Sequence, residues 1–518
     1  MQPVNRLPAN VPSVTGEVPD SAEGRRSSFL RWGVGALIVG GLLAYSQTHA
    51  FGWDEGYHLL AAQLIKAGKR PYLDFCFPQT PLGAYWNAAW MYIFGESWRT
   101  VHALAALCTS AAILLAAGFV FARFPVPGWR LAGAIAAAFM IGGNKMVFRF
   151  GAAGQPYGLC LVLIVAAFRC SILAVDRSGS FLSGSAGLLA GAAAASSLLT
   201  APAAPVLLVW ILIYNRAGSR WTKFVWFVGG TAISWVPVFW LFMQGPRQVF
   251  FNVIEYMLLY RRVEWSGATR HDLEVMISWI DSPQVLILVL LAATGLVLGA
   301  RNASDRRWRA ELFLCFWLAA ALTIYISCAH PTFPQYYLLA VPFLGILACA
   351  GLYEAASRLD SRNRPLWPVV ALTVLVCSGL AKRLYEEGRD DFFWRDMEKV
   401  ARKVDDVTPR HAALLAYEEH VYFLTRRIPP SGMEVEDSHG LKLPPAEAAL
   451  LHVVPRDELR KRIEAGMFDT VQTCEEDEDT IQALGLRRLY ARSAVIAPCS
   501  VFWEKVPARA GVPADSRK

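Results

Sequence analysis

The chain has 518 residues, 55% of them hydrophobic and 18% charged, with a net charge of +8. That balance is too apolar for an ordinary soluble globule and suits a polytopic membrane protein. The charge is uneven: residues 1–381 hold 28 basic and 17 acidic side chains, and residues 382–518 hold 22 and 25. A basic membrane part therefore joins a faintly acidic tail, a pattern that topology explains without nucleic acid.

Residues 1–28 are rich in Pro, Ser, Ala and charge and read as a disordered cytoplasmic tail. Hydrophobic spans follow near 31–47, 101–122, 131–148, 156–175, 181–199, 203–214, 224–243, 283–300, 310–327, 336–357 and 366–381. A single helix over 181–214 would be about 50 Å long, against a hydrocarbon core of roughly 30 Å. Pro202 and Pro205 also fall where a turn between two spans belongs. Arginine and lysine gather in alternate connections: Arg25/Arg26/Arg31, Arg123/Arg130, Arg177, Arg216/Arg220/Lys223, Arg301/Arg306/Arg307/Arg309 and Arg358/Arg362/Arg364. By the positive-inside rule these are cytoplasmic. Fusing 181–214 would flip every later loop. About eleven spans fit, with the N-terminus inside and the tail outside. A cleaved signal peptide over residues 31–50 is the rival reading, disfavoured by the long segment before it.

Three outer segments are long: 48–100, 244–282 and 382–518. The first opens on Trp53-Asp54-Glu55-Gly56-Tyr57-His58, several residues past an apolar run that ends near Tyr45. Carboxylates are costly in the bilayer core, so a pair at its lip points to substrate handling. Tyr57, Leu60, Ala61, Leu64 and Ile65 have helical spacing, with Gly68 as a C-cap and Pro71 as a stop. This predicts an interfacial helix over 55–67 that places Asp54 and His58 on one face. Asp54 alone could also be only its N-cap. Val249, Phe250, Val253, Ile254, Met257 and Leu258 suggest a second such helix, followed by Arg261, Arg262, Arg270 and His271. The tail alternates strand-like pieces (412–417, 467–474, 488–497) with helix-like ones (395–406, 456–465, 477–484) and reads as a small α/β domain. Cys474 and Cys499 would pair if it lies in an oxidising compartment. The other eight cysteines lie in or near spans without metal-type spacing and read as apolar packers.

No G-x-x-x-x-G-K-[ST], H-E-x-x-H or G-x-S-x-G occurs, which weighs against ATP-driven transport, zinc proteolysis and serine hydrolysis. The spans hold few ionisable groups, Lys145 and Arg169 being the clearest, so chemistry is expected at the outer surface.

The first outer loop then runs through Gly68, Pro71-Tyr72-Leu73-Asp74-Phe75, Pro78-Gln79-Thr80-Pro81-Leu82, Tyr85-Trp86, Phe94-Gly95-Glu96-Ser97 and Arg99. With Asp54-Glu55 this order resembles bacterial GT-C glycosyltransferases, the group containing protein O-mannosyltransferases and the lipid A aminoarabinose transferase. The resemblance is specific over residues 31–125 and topological to 381. His330-Pro331…Pro334-Gln335-Tyr336-Tyr337 is a looser match to a motif before a late span of that group.

The resemblance implies a GT-C-like domain over 29–381 and an enzyme of the bacterial inner membrane with its tail domain, 382–518, in the periplasm. It would move a sugar from a polyprenyl-phosphate carrier to a lipid, glycan or protein acceptor. Asp54 would be the base, assisted by Glu55. Arg149, Arg261, Arg262 and Arg270, with Lys145 and Arg247, are candidates to hold the phosphate. His58, Tyr72, Gln79 and Tyr85 are candidates to line the substrate, although His58 also suits a structural or surface role and Tyr72 an aromatic interface belt. Gln79-Thr80-Pro81-Leu82 stands where relatives often have Lys-Pro-Pro-Leu, and Gln155 stands where a second acid is common. No metal ligand is assigned, and the need for a divalent metal stays open. A lipid-linked sugar flippase and a catalytically silent partner in envelope glycan assembly are the competing readings.

Overall fold

The computed structural model describes residues 21–48, 51–260, 268–303, 305–358, 365–474 and 478–506. Most of the chain is helical. In order the helices are α1 (Ser21–Ser46), α2 (Gly56–Lys66), α3 (Leu82–Phe94), α4 (Trp98–Arg123), α5 (Arg130–Gly142), α6 (Lys145–Phe150) and α7 (Tyr157–Asp176). They continue as α8 (Phe181–Ser196), α9 (Ala203–Tyr214), α10 (Arg220–Ser234), α11 (Val236–Gln244), α12 (Ala268–Asp281) and α13 (Pro283–Thr294). The last membrane-region helices are α14 (Arg306–Ser327), α15 (Val341–Arg358) and α16 (Leu366–Asp390). The tail holds α17 (Trp394–Val407) and α18 (Glu419–Thr425).

Among the described residues, six helices are long and apolar enough to cross a bilayer, or seven if α10 and α11, bent by 52° about Trp235, form one broken span. Helical structure lies at every predicted span, yet length and composition do not support a count of eleven. The shortfall has two causes: α15, with 18 residues, is long enough but not apolar enough, and α5, α8 and α9, with 13, 16 and 12 residues, are too short. At 1.5 Å per residue these reach about 18–24 Å. The split of 181–214 is real: Ser197 is extended (φ −158°, ψ 123°) and separates α8 from α9.

Small residues let the spans approach closely. A Cβ on Gly187 of α8 would overlap the Phe227 backbone of α10, and one on Gly351 of α15 would overlap Leu291 of α13. At the end of the bundle away from the first outer loop, buried Glu311 pairs with Arg123 and Arg307, and Arg307 also pairs with Asp176. The predicted span 310–327 therefore holds a buried ionisable group, Glu311.

The tail sheet has strands β1 (Leu414–Ala416), β2 (Thr470–Cys474), β3 (Tyr490–Ile496) and β4 (Cys499–Lys505) in the order β1-β2-β4-β3. The pair β1-β2 is parallel and the other two pairs are antiparallel. Cys474 faces Cys499 across β2 and β4, and the two form a disulfide. The acidic run that begins at Glu475 lies partly outside the described residues.

Two expectations about the outer segments change. The helix α2 starts one residue late, and its cap residue Glu55 makes no side-chain capping bond. It also does not lie open on the membrane surface. Its residues Gly56 and His58 to Leu64 are buried against α3 and the tail helix α18. Its end does follow the sequence: Gly68 has φ +87° and Lys69 N–H reaches Leu64 O. One hydrophobic core contains Phe51, Leu59 and Tyr72 of the first loop together with Trp394, Met397 and Tyr422 of the tail. Trp98 stacks on Trp394 with centroids 5.0 Å apart, and its indole N–H donates to Glu398. The tail and the first outer loop thus fold as one layer.

Glu434 in this layer is buried, and burial pushes its carboxyl up to about 8, against the pull of the Gly432 amide and Lys69. An acid with a raised native pKa favours the folded state less as pH climbs from its unfolded value to its folded one. Glu434→Gln should therefore raise Tm by several degrees at pH 8. That gain should vanish near pH 4.5, a trend read by thermal unfolding of the detergent-solubilised protein across pH.

Candidate active site

The two neighbouring carboxylates meet opposite fates. Trp53–Glu55 is a single 3-10 turn between Gly52 and Gly56. At three residues per turn, successive side chains point about 120° apart. Glu55 turns inward and is fully buried, while Asp54 is exposed.

Glu55 is held by two donors on one oxygen. Gly154 N–H donates to Oε1, and the Nε2 of His102 meets the same atom. The other ring nitrogen, Nδ1, lies 2.9 Å from Ser46 O. A carbonyl only accepts, so Nδ1 carries a hydrogen. One further proton then lies between Nε2 and Oε1, whichever atom holds it. The pair is neutral overall and ties the end of α1, the start of α4 and the 151–156 loop to the turn. Glu55, expected to assist catalysis, is committed to this staple.

Asp54 faces Gln335, whose Nε2 donates to Oδ2 at the long distance of 3.5 Å. Gln335 is the second residue of the 3-10 turn Pro334–Leu339 and is itself buried. The loop before it is braced by Asp272 of α12, which accepts from Thr332 N–H (2.7 Å) and meets His330 Nδ1. His271 adds a contact to Thr332 O at 3.1 Å.

The helix α6 packs on the same 334–339 turn and presents Lys145 and Arg149, four residues apart on one face. Arg149 pairs with Asp391 at 3.0 Å and reaches Glu387 at 4.0 Å. Lys145 is half-buried, and among the described residues it makes no hydrogen bond or ion pair.

Other sequence candidates lie in packing roles. His58 does not share a face with Asp54. It is buried between Tyr57 and Phe77, and burial pushes its pKa down to about 3 against the pull of Glu55, so the ring is neutral. Tyr72 is fully buried at φ +70° and donates to Gln79 O at 2.5 Å, bracing the loop. Gln79 is half-buried with Nε2 3.4 Å from Tyr57 Oη, and Tyr85 packs partly buried against the same core. Arg270 is exposed and pairs with Glu274 on its own helix, and Arg247 is bound by Glu255 and Glu447. Arg261 and Arg262 lie outside the described residues. Gln155 does not join Asp54: it lines a crevice between α3, α4 and α7 with Trp86, Asn87, Leu104 and Cys108.

His102 and His420 escaped the sequence reading, and Gln335 entered it only within the looser 330–337 match. His102 was legible as an ionisable residue at the head of an apolar span. His420 lies hundreds of residues from Asp54, and no local pattern marks it.

Among the described residues, one trio has metal-ligand spacing: the ligand atoms of Glu418, Glu419 and His420 lie within 4.8 Å of one another. The trio fits a metal poorly. The Nε2 of His420 is engaged by Gly52 O, and Nδ1 lies against Gly56, where even a Cβ would overlap the ring.

A substitution at each carboxylate separates the two roles. In Glu55→Gln, an amide oxygen beside His102 loses the shared proton, and an amide nitrogen opposes Gly154 N–H. One bond is lost either way, at about 1–3 kcal/mol. Asp54→Asn leaves the staple intact. Thermal unfolding should show a clear fall in Tm for Glu55→Gln and nearly none for Asp54→Asn.

No protein-family model matches this sequence, and no curated protein matches it significantly. Solved structures do resemble its fold. ArnT from Cupriavidus metallidurans bound to undecaprenyl phosphate aligns with a TM-score of 0.63 and 15% identity, over 93% of this chain and 98% of that one. The apo state of ArnT aligns at 0.64 and 17% over the same shares. The archaeal oligosaccharyltransferase AglB from Archaeoglobus fulgidus, in complex with an inhibitory peptide and a dolichol-phosphate, aligns at 0.54 and 12%, over 94% of this chain and 75% of that one. Together with the helical bundle and its fused outer layer, these matches establish that the chain shares the fold of ArnT and AglB.

Proposed function

We propose that this protein is a membrane glycosyltransferase that moves a sugar from a polyprenyl-phosphate carrier to a hydroxyl of a lipid, glycan or protein acceptor. The observation that carries the reading is Asp54: an exposed carboxylate at the outer lip of α1, on a turn whose neighbouring carboxylate is locked. Support also comes from the fold's likeness, over nearly its whole length, to one protein bound to undecaprenyl phosphate and another to dolichol-phosphate.

In this reading the acceptor hydroxyl gives its proton to Asp54 as its oxygen attacks the anomeric carbon. The bond from that carbon to the phosphate oxygen breaks on the opposite face, so the configuration inverts. The polyprenyl phosphate leaves with the bonding electrons. Its added negative charge calls for a cation at the membrane edge, and Lys145 is the described candidate without an ion pair. Arg149 lies beside it but already serves Asp391. Gln335 orients the base.

The outer side is the periplasm of a bacterial inner membrane in this reading, with the N-terminus cytoplasmic. The alternating arginine-rich connections and the Cys474–Cys499 disulfide favour that orientation. Residues 382–518 then form the outer domain that covers the first loop.

Turnover can be followed as release of undecaprenyl phosphate from radiolabelled undecaprenyl-phosphate mannose, glucose and 4-amino-4-deoxyarabinose in membrane vesicles. Asp54→Asn should lower kcat by about 10²–10⁴-fold at unchanged protein level, the range for a lost general base. Lys145→Gln should mainly raise the donor KM. Equal turnover in wild type and Asp54→Asn would remove Asp54 from the chemistry and favour a transport role.

A further inference from the structure

The turn that carries Asp54 is gripped on two sides by histidines from distant parts of the chain. From the membrane bundle, His102 holds Glu55. From the tail domain, 368 residues away in sequence, His420 donates Nε2–H to Gly52 O at 3.1 Å. The carbonyl accepts only, which fixes the hydrogen on Nε2.

The His420 ring is fully buried. It packs against Phe51 with centroids 4.1 Å apart and against Trp394 at 5.3 Å. It also lies against Gly56, where the absence of a side chain is required, since a Cβ would overlap three atoms of the ring. Burial pushes its pKa down to about 4, although Glu55, Gly52 O and Asp54 pull the other way. The ring is thus neutral near pH 7 and keeps the donor tautomer. A second bond between the same partners, Phe51 N–H to Phe392 O at 2.8 Å, ties the residue before Gly52 to the tail.

Gly52 has no side-chain capping bond of its own, and glycines at both ends make the turn intrinsically loose. Its Asp54 side chain therefore depends on outside contacts for its aim. We infer that His420 is a positioning residue: it fixes the Gly52–Gly56 turn, and through it Asp54, so that the C-terminal domain is part of the active site and more than a cover.

This inference rests on the reading of Asp54 as the base, and the test keeps the two apart. His420→Phe retains the ring and removes the donor. His420→Gln places an amide N–H near the position of Nε2, and His420→Asn places one near Nδ1. Hydrogen–deuterium exchange of peptides spanning 51–60 reads the grip directly, without any substrate. Turnover is measured beside it on whichever undecaprenyl-phosphate sugar wild type uses fastest, with Asp54→Asn as the reference.

The expected result is about tenfold faster exchange at 52–56 in His420→Phe, with exchange elsewhere unchanged. Its kcat should fall about tenfold with donor KM within twofold of wild type, and His420→Gln should recover most of both. If His420→Phe loses Tm, the Gln and Asn variants decide at matched Tm: Gln active and Asn impaired supports the role, and equal rates overturn it. Unchanged exchange in His420→Phe overturns the grip. Faster exchange with wild-type kcat, while Asp54→Asn is inactive, overturns the positioning role and leaves the base standing. Wild-type turnover in Asp54→Asn overturns both.

Discussion

A carboxylate removed from water needs donors or a proton, and Glu55 obtains both at a single oxygen. Much of the outer half of this molecule depends on that arrangement. The donors come from α4 and the 151–156 loop, and the second nitrogen of His102 reaches back to the end of α1. Three membrane elements therefore converge on one turn. Buried polar networks are costly when half satisfied, so each member holds the others in place. Asp54 is exposed because Glu55 is not: in so tight a turn, burying one side chain swings its neighbour out.

The outer layer completes what the bundle begins. The first loop and the tail share a core, and Trp98 and Trp394 stack across the seam. Stacked aromatics contribute roughly 0.5–1.5 kcal/mol beyond their buried area. More contacts cross the same seam: His452 meets Leu73 O at 2.7 Å, and Arg99 pairs with Glu398 at 2.7 Å. A domain bound at so many points, with one histidine on the turn that bears Asp54, shares in the geometry of the site.

Much of this was legible in the sequence because it rests on local signals. The acidic pair past the first span, the break between α8 and α9, the Gly68 cap and three of the four tail strands all follow from hydropathy, proline and glycine. The fourth strand, β4, follows β3 after only two residues and has no counterpart among the predicted strands. The span count was less legible. Alternating charge tells which side a loop occupies, but α5, α8 and α9 are too short for length to certify a crossing. The difference between Asp54 and Glu55 was not legible at all. Adjacent carboxylates look alike in sequence, and what separates them is contributed by His102 and Gly154, 47 and 99 residues away.

The departures at Gln79 and Gln155 gain a physical meaning from the same geometry. Gln155 follows Gly154, whose amide binds Glu55 and whose carbonyl accepts from Asn87 at 2.9 Å. With the backbone of that loop fixed in both directions, its next side chain is directed into the α3–α4–α7 crevice. An acid there would lie among Trp86, Leu104 and Leu159, where ionisation is costly. A neutral amide is the compatible choice. The 151–156 loop therefore acts on the turn through its backbone, by holding Glu55. Gln79 adds no cation to the first loop, and under the proposed reading the positive charge offered to a lipid phosphate comes from α6, where Lys145 stands one turn from the ion-paired Arg149.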